Sequence, residues 1–384
     1  MKKTILEVKM KKKEPYIPKN FPPEKIEWKE IIPLIGMANS AIARFDGMLQ
    51  GLVNPSVLLS PLTTKEAVLS SRIEGTQATL EEVMQEEAGF TDKKISSSLK
   101  EDIKEIINYR NALTFAEGEL SHRPMTLGLI KDIHAILLDS VRGKDKSPGE
   151  FRNSQNWIGI PGMPMEMSRF VPPDPIILQE HLERWEKFLH FDEFPDKLVQ
   201  LAIIHAQFEI LHPFKDGNGR TGRLFIPLFL FWKKLLTKPS FYLSEYLERN
   251  RQQYDDKLLF ITEKGDWQGW IEFFLNAIIK QSEINIGKSK KMLELYEKSK
   301  MEFAAATQSQ YAIAALDTFF KKPIINTSLF LKTTAIHNRG TGNDILKKLV
   351  NAKLIKLLKP SEGRKPAVYI FYDLLNIVED KKIC

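Results

Sequence analysis

Twelve consecutive residues, His212 to Arg223, constrain this chain more than any other part of its sequence. They read HPFKDGNGRTGR and combine an imidazole, a carboxylate, glycines and two arginines. The segments on either side, Leu198 to Leu211 and Leu224 to Leu236, are apolar enough to form buried helices. The motif is therefore predicted to be a tight loop between two core helices, and its last residues begin the second helix. A chain built around it is expected to be mainly α-helical.

This loop has the composition of an anion site. A helix N-terminus carries unpaired N–H groups and partial positive charge, so it attracts phosphate. Gly217 and Gly219 let the backbone turn and approach a phosphate without a Cβ in the way. Asn218 can donate to a phosphate oxygen or hold a left-handed turn. Arg220 and Arg223, three residues apart, share one helix face and can grip phosphate oxygens in bidentate fashion.

Two further side chains add chemistry to the loop. Asp216 is a hard oxygen ligand, and Mg²⁺ usually takes one or two carboxylates together with substrate phosphates. His212 can accept a proton near neutral pH. The alternative is an ordinary turn, since His-Pro and Asp-Gly-Asn-Gly are common loop compositions. The sequence is neither a Walker P-loop, which needs a Gly-Lys-Ser/Thr ending, nor a His-Glu-x-x-His zinc motif.

The twelve residues match the signature His-x-Phe-x-Asp/Glu-Gly-Asn-Gly-Arg-x-x-Arg at every position, so the chain resembles the Fic family. Most Fic proteins transfer AMP from ATP to a hydroxyl group of a target protein. The resemblance implies that His212 is the general base for a Ser, Thr or Tyr hydroxyl and that Asp216 holds Mg²⁺. Phe214 would anchor the loop in the core. The implied phosphate ligands are Gly217, Asn218, Gly219, Arg220 and Arg223.

An earlier segment resembles the family's inhibitory helix. Thr63 to Glu74 is predicted to be a helix that ends at Gly75, and Ser70 and Glu74 share one face of it. A glutamate in the last helical turn is disfavoured by the helix dipole and needs a cation nearby. By itself this glutamate could also be solvent-exposed. The family pattern Ser/Thr-x-x-x-Glu-Gly/Asn implies instead that Glu74 pairs with Arg223 and keeps the enzyme off. Glu74 could also orient a water that removes AMP.

The segment Asn153 to Pro173 is predicted to form a β-hairpin around a loop rich in Pro, Gly and Met. In Fic proteins a hairpin flap beside the motif pairs with an extended segment of the target. Without the family context it could be an ordinary surface hairpin. The candidate docking residues are Trp157, Ile158, Gly159, Ile160, Phe170 and Val171.

Downstream of the motif, Asn250 and Tyr254 resemble residues that line the family's adenine and ribose pocket. Aromatic residues at helical spacing are also common in protein cores. The next predicted helix runs from Trp267 to Ile286 and stops at Gly287. The chain is accordingly divided into an N-terminal helical region (1–100), a catalytic core (101–287) and a C-terminal domain (288–384).

The C-terminal domain is predicted to be a winged helix, with three helices followed by a hairpin. Its basic character stands out, because residues 281–384 carry 18 Lys and Arg against 10 Asp and Glu. The helix Asn343 to Ala352 would enter the major groove of DNA, with Arg364 and Lys365 at the tip of the wing. A winged helix that binds protein, or one that is purely structural, is the alternative.

Composition indicates a soluble, cytoplasmic protein. The single cysteine, Cys384, cannot form an internal disulfide, and the N-terminus has no apolar stretch of signal-peptide length. The longest apolar run is too short to span a bilayer. The resemblance to the Fic family further implies a self-inhibited adenylyltransferase that uses ATP and Mg²⁺ and forms a homodimer. The alternatives are transfer of another nucleotide or a phosphoryl group, and a DNA-binding regulator with a Fic-type sensor core.

Overall fold

The computed structural model describes residues 13–19, 21–52, 54–90, 96–139, 144–160 and 162–380. Cys384 and residues 1–12 lie outside these ranges. The described part is mainly helical with one small sheet, which confirms the predicted fold class. Among its helices, none is long and apolar enough to cross a membrane.

Sixteen α-helices lie within the described ranges, and several match the helices predicted from the sequence. In chain order they are α1 (Trp28–Gln50), α2 (Pro55–Leu58), α3 (Ser60–Ile73), α4 (Leu80–Glu87), α5 (Ser97–Leu120), α6 (Leu127–Leu137), α7 (Pro175–Leu189), α8 (Lys197–Leu211), α9 (Asn218–Trp232), α10 (Ser244–Arg249), α11 (Arg251–Lys264), α12 (Trp267–Thr307), α13 (Ala312–Lys321), α14 (Thr327–Thr334), α15 (Arg339–Asn351) and α16 (Tyr372–Glu379).

Helix α8 is the central element of the core and carries the motif at its C-terminal end. Asp196 caps its start by accepting hydrogen bonds from two backbone N–H groups. Apolar residues surround the helix on all sides, so neighbouring helices bury it completely. Two tryptophans from those neighbours donate to its carbonyl oxygens: Trp185 to Ile204 at 2.9 Å and Trp270 to Ala202 at 2.8 Å. The loop that follows is therefore held in a rigid frame.

Helix α3 precedes the motif by some 150 residues yet packs against it. It ends at Glu74, and Gly75 follows with a φ of +105° as the predicted stop requires. The next helix, α4, begins with a capping box. The Thr79 side chain accepts from the Glu82 N–H, and the Glu82 carboxylate accepts from the Thr79 N–H.

The predicted helix stop at Gly287 is wrong. Helix α12 passes through this glycine and continues to Thr307 without a break, across the predicted boundary between core and C-terminal domain. A glycine in a helix interior costs about 1 kcal/mol relative to alanine. Burial of Lys288, Ser289 and Met292 in the following turns offsets that cost. The division into three domains stays a prediction.

The C-terminal part contains an antiparallel sheet of three strands: β1 (Ile324–Asn326), β2 (Lys356–Lys359) and β3 (Val368–Ile370). Strand β3 lies in the middle, with Tyr369 opposite Ile325 on one side and Leu357 on the other. Strands β2 and β3 are the predicted hairpin, whereas β1 and α16 were not predicted because both are short. The element order from α13 to β3 is compatible with the winged helix predicted for this region.

This C-terminal part is bonded directly to α3. The Lys65 ammonium group donates to the Val378 carbonyl oxygen at 2.6 Å, and the Ser60 hydroxyl donates to the Lys321 carbonyl oxygen at 3.0 Å. An ion pair joins the same region to α12, since the buried Lys288 lies 2.9 Å from the exposed Asp380. Helix α3 is thus enclosed between the core helices and the C-terminal elements.

The predicted hairpin at Asn153 to Pro173 has less strand pairing than expected. Ile158 and Phe170 form a single bridge pair, and a short 3₁₀ turn at Met165–Met167 lies between them, but the described residues of this segment contain no regular strand. Pro164, Pro172 and Pro173 have no N–H to donate, which limits the ladder to one rung.

Candidate active site

The His212 to Arg223 loop is held by its own side chains. His212 ends α8 in a left-handed conformation with φ of +47°, and Gly217 has φ of +75° immediately before α9. The Asn218 side chain accepts from the Phe214 N–H and donates to the Phe214 carbonyl oxygen, both at 2.8 Å. The side chain of Asn218 therefore holds the turn of the loop. Its contact with a phosphate stays a prediction.

A second histidine, His134 of α6, packs against the loop and bonds to its backbone. Its ring stacks on the buried Phe214 ring at a centroid distance of 3.6 Å. Nδ1 accepts from the Gly149 N–H, so the proton lies on Nε2, which donates to the Asp216 carbonyl oxygen at 2.9 Å. Burial lowers the pKa of His134 to about 4. The neutral ring thus fixes the backbone on which the Asp216 carboxylate stands.

Arg152, also absent from the sequence prediction, clamps the start of the loop. Its backbone N–H donates to the Pro213 carbonyl oxygen, and its buried guanidinium donates to the carbonyl oxygens of His212 and Leu211. The same guanidinium reaches the Pro173 carbonyl oxygen at the base of the flap. One side chain therefore fixes the position of His212 relative to the flap.

His212 borders a cavity of about 190 Å³. Its Nδ1 lies 3.4 Å from the Glu209 carbonyl oxygen one turn earlier in α8. With Nδ1 donating to that oxygen, Nε2 is the nitrogen that accepts a proton. Burial lowers the pKa of His212 to about 4, although Glu74 acts in the opposite direction. At neutral pH the imidazole is uncharged, which is the form a general base requires.

Arg223 and Glu74 meet at the opposite wall of the cavity. Nη2 of Arg223 lies 2.6 Å from Oε1 of Glu74, and the same guanidinium donates to the Ser70 hydroxyl and carbonyl oxygens at 3.0 and 2.9 Å. Burial favours the neutral form of each side chain, but the opposite charge of its partner has the larger effect. Arg223 lowers the pKa of Glu74, and Glu74 raises the pKa of Arg223.

The Glu74 carboxylate also lies directly over the start of α9. A Cβ placed on Gly219 would be only 2.1 Å from Oε1 of Glu74. Only a glycine leaves room for a negatively charged group so close to this helix N-terminus. The carboxylate of the chain itself therefore occupies the place where the loop would receive an anion.

Arg220 pairs with a carboxylate of another helix. Its Nη1 is 2.7 Å from the Glu105 carboxylate of α5, and Arg220 is absent from the cavity lining. Nη2 lies 3.7 Å from Oδ1 of Asp216. A buried guanidinium needs a carboxylate partner, and Glu105, far away in the sequence, supplies it. Contact between Arg220 and a phosphate stays a prediction.

Asp216 is suited to bind Mg²⁺ together with the phosphates of a bound substrate. Its side chain is 48% exposed, and Oδ1 accepts from the Gly217 N–H at 2.6 Å. The described residues contain no group of three or more His, Cys, Asp or Glu side chains that could hold a metal. A single accessible carboxylate fits Mg²⁺ only if phosphate oxygens and waters complete the shell.

The rest of the cavity lies between α11 and the flap. Tyr254 lines it, and its hydroxyl donates to Nε2 of the buried His205 at 3.0 Å. Asn250, the other predicted pocket residue, does not line the cavity, because its side chain donates to the Tyr246 carbonyl oxygen at 2.8 Å. The sequence prediction missed these lining residues: Glu209, Arg251, Asp255, Leu258, Leu259 and Thr262.

The predicted docking residues of the flap differ in exposure. Trp157 and Ile160 are 43% and 66% exposed, so they can contact a partner. Val171 is buried, and its carbonyl oxygen accepts from the Tyr16 N–H at 2.9 Å. Phe170 packs on the Tyr16 ring. The N-terminal segment 13–19 of the chain itself therefore covers the second arm of the flap.

Comparison with known proteins agrees with this geometry. The model of the Fic/DOC family N-terminal region matches residues 32–117, and that of the Fic/DOC family matches residues 124–230. Together they cover just over half of the chain. The chain belongs to the Fic/DOC family. A Fic family protein from Desulfovibrio desulfuricans G20 has the same fold, with a TM-score of 0.57 and 20% identity over 91% of this chain and 97% of the other.

Curated relatives of this Fic/DOC chain are named protein adenylyltransferases. One from Aedes aegypti is 29% identical over 184 residues, which is 45% of this chain and 32% of the relative. A probable protein adenylyltransferase from Aquifex aeolicus is 31% identical over 87 residues, 23% of this chain and 25% of the relative. The matched part thus spans a third or less of either relative.

Proposed function

We propose that this protein is an adenylyltransferase that moves AMP from ATP to a Ser, Thr or Tyr hydroxyl of a target protein. The observation that carries the proposal is the cavity itself, which brings together a neutral His212, the N-terminus of α9 and the Arg223 guanidinium. These groups provide a base, an anion site and a charged phosphate ligand. The names of the curated relatives support the same activity.

In the proposed reaction His212 takes the proton of the target hydroxyl. The hydroxyl oxygen then attacks the α-phosphorus of ATP, a new phosphoester bond forms, and the bond to the leaving pyrophosphate breaks. The N–H groups at the start of α9 face the charge that develops on the phosphate. Mg²⁺ bound at Asp216 would neutralise phosphate charge. Arg152 and His134 contribute by holding the loop in place.

The resting state of the proposed enzyme is off. Glu74 pairs with Arg223 and lies over Gly219, so ATP and Glu74 would compete for one anion site. Transfer then requires Glu74 to leave Arg223. The same carboxylate could orient a water for removal of AMP from the modified target, which would show as release of AMP from labelled protein. The homodimer and the cytoplasmic location predicted from the sequence stay predictions.

ATP labelled at either the α- or the γ-phosphate tests the reaction type. We expect the full-length Glu74→Gly variant, mixed with a cell lysate, to transfer the α-label to protein and to release the γ-label as pyrophosphate. Mass spectrometry of the labelled proteins then identifies the modified hydroxyl. Label on protein from γ-labelled ATP alone would identify a kinase and overturn the proposal. UTP outcompeting ATP would indicate a different nucleotide.

We infer a second candidate function from the C-terminal elements. Arg339 and Lys347 of α15 are exposed, as are Arg364 and Lys365 between β2 and β3. We propose that this surface binds duplex DNA through its phosphates.

Fluorescence anisotropy with a random 20-base-pair duplex tests the DNA proposal. We expect micromolar binding at 50 mM salt that weakens at 200 mM salt. The Lys347→Glu/Arg364→Glu variant should bind more weakly, whereas Lys187→Glu, an exposed lysine on α7, should bind normally. Absence of binding at 50 mM salt would refute the proposal.

A further inference from the structure

Glu209 is a buried carboxyl group that the proposed reaction does not use. It lies one turn before His212 in α8, lines the same cavity and is only 9% exposed. Its Oε1 atom has no hydrogen-bond partner among the described residues. A buried carboxyl oxygen without a partner costs free energy, so packing alone does not explain this side chain.

The fold makes room for this group. A Cβ on Gly222 of α9 would lie 2.2 Å from Oε1 of Glu209, so a larger residue at position 222 would displace the carboxyl. Burial raises the pKa of Glu209 to about 8, although Arg223 lowers it. The side chain can therefore offer both a donor and an acceptor at neutral pH. Such a group is suited to a ligand that carries polar atoms of its own.

The cavity is lined by both polar and apolar residues. Gly219 and Arg223 are the candidate phosphate ligands, and Leu258, Leu259 and Phe170 provide apolar surface that suits a nucleobase. The Glu209 carboxyl lines the same cavity and lies against Gly222, one turn after Gly219 in α9. A nucleotide whose phosphates lie at the start of α9 would therefore bring its nucleoside within reach of this carboxyl.

We propose that the Glu209 carboxyl accepts a hydrogen bond from the nucleoside of the bound nucleotide, either from a ribose hydroxyl or from the amino group of the base. This inference rests on the proposed function, because it assumes ATP in this cavity. It makes Glu209 a specificity-determining residue of the proposed enzyme.

Nucleotide analogues test the inference in the full-length Glu74→Gly variant with Mg²⁺. The dissociation constants of ATP, 2′-deoxy-ATP, 3′-deoxy-ATP and inosine triphosphate are measured with and without Glu209→Met. We expect Glu209→Met to weaken ATP binding about tenfold, since it leaves a buried donor without a partner. One analogue lacks the nucleoside group that donates to Glu209. Glu209→Met should not change the affinity for that analogue. Glu209→Gln, which keeps an acceptor oxygen, should stay close to the parent.

A control and a stability measurement exclude a purely structural effect. Gln207→Met alters a buried polar side chain of the same helix that does not line the cavity, and it should leave nucleotide affinity unchanged. Glu209→Met should not lower the melting temperature, because it removes an unpartnered carboxyl oxygen.

Two results would overturn the inference: unchanged ATP affinity in Glu209→Met, or equal weakening of ATP and all three analogues. ATP binding without AMP transfer would overturn only the proposed function. Absence of ATP binding to the Glu74→Gly variant would overturn both.

Discussion

The Glu74→Gly variant is expected to transfer AMP roughly 5- to 150-fold faster than the wild type. This factor corresponds to the coupling free energy that is typical between two sites. The substitution removes the carboxylate that pairs with Arg223 at 2.6 Å and covers the start of α9. Initial rates with α-labelled ATP and one labelled target give the ratio. Equal rates in the two proteins would contradict self-inhibition.

Graded substitutions separate charge from shape at this site. Glu74→Gln keeps the length of the side chain but loses its charge, so we expect an intermediate rate. Ser70→Ala removes only the hydroxyl acceptor of Arg223 and should have the smallest effect. Removal of the Glu74 carboxylate also leaves the buried Arg223 guanidinium without its ion-pair partner. The melting temperature of Glu74→Gly should therefore fall, and Mg·ATP should raise it more than in the wild type.

His212→Ala, made in the Glu74→Gly background, is expected to slow AMP transfer roughly 10²- to 10⁴-fold, the usual contribution of a positioned general base. ATP affinity should change little, because the phosphate ligands remain. His122→Ala is the matched control, since His122 is exposed after α5 and is not among the cavity residues. A normal transfer rate in His212→Ala would refute its role as the base.

The pH dependence follows from the same residue. A base works in its deprotonated form, which predominates above its pKa, and burial holds the pKa of His212 at about 4. Glu74 raises this pKa, so removal of Glu74 moves the acid limb of the pH–rate profile to lower pH. The rate of the Glu74→Gly variant should thus be flat from pH 8 to about 5. An acid limb near pH 6.5 would show that His212 has an ordinary pKa and is not buried as described.

Local sequence patterns predicted the motif loop and its helices well. The apolar segments before and after it become α8 and α9, and Gly217 adopts the left-handed conformation that its position requires. These features depend on spacing within a few residues, which a sequence displays directly. The pairing of Glu74 with Arg223, 149 positions away, was instead implied by the resemblance to the Fic family.

Other contacts between distant residues, for which the resemblance offered no guide, were not predicted. Arg220 pairs with Glu105, 115 positions away, and Arg152 binds carbonyl oxygens of the loop 60 positions away. A sequence pattern does not show which buried charges will meet. The stop expected at Gly287 failed for a related reason, since the packing of α12 overrides the low helix propensity of one glycine.

Because α3 is enclosed, movement of the whole helix is slower than rotation of the Glu74 side chain at its end. Ser244 of α10 donates from its N–H and its hydroxyl to the Glu66 carboxylate of α3, while Lys65 binds the C-terminal elements. Displacing the whole helix means breaking these buried bonds together, a collective motion of microseconds or longer. Glu74 lies at the end of the helix and is 40% exposed, so it can leave Arg223 by rotation of its own side chain within nanoseconds. The arrival of a competing anion, and not the movement of α3, then sets the rate at which the site is filled.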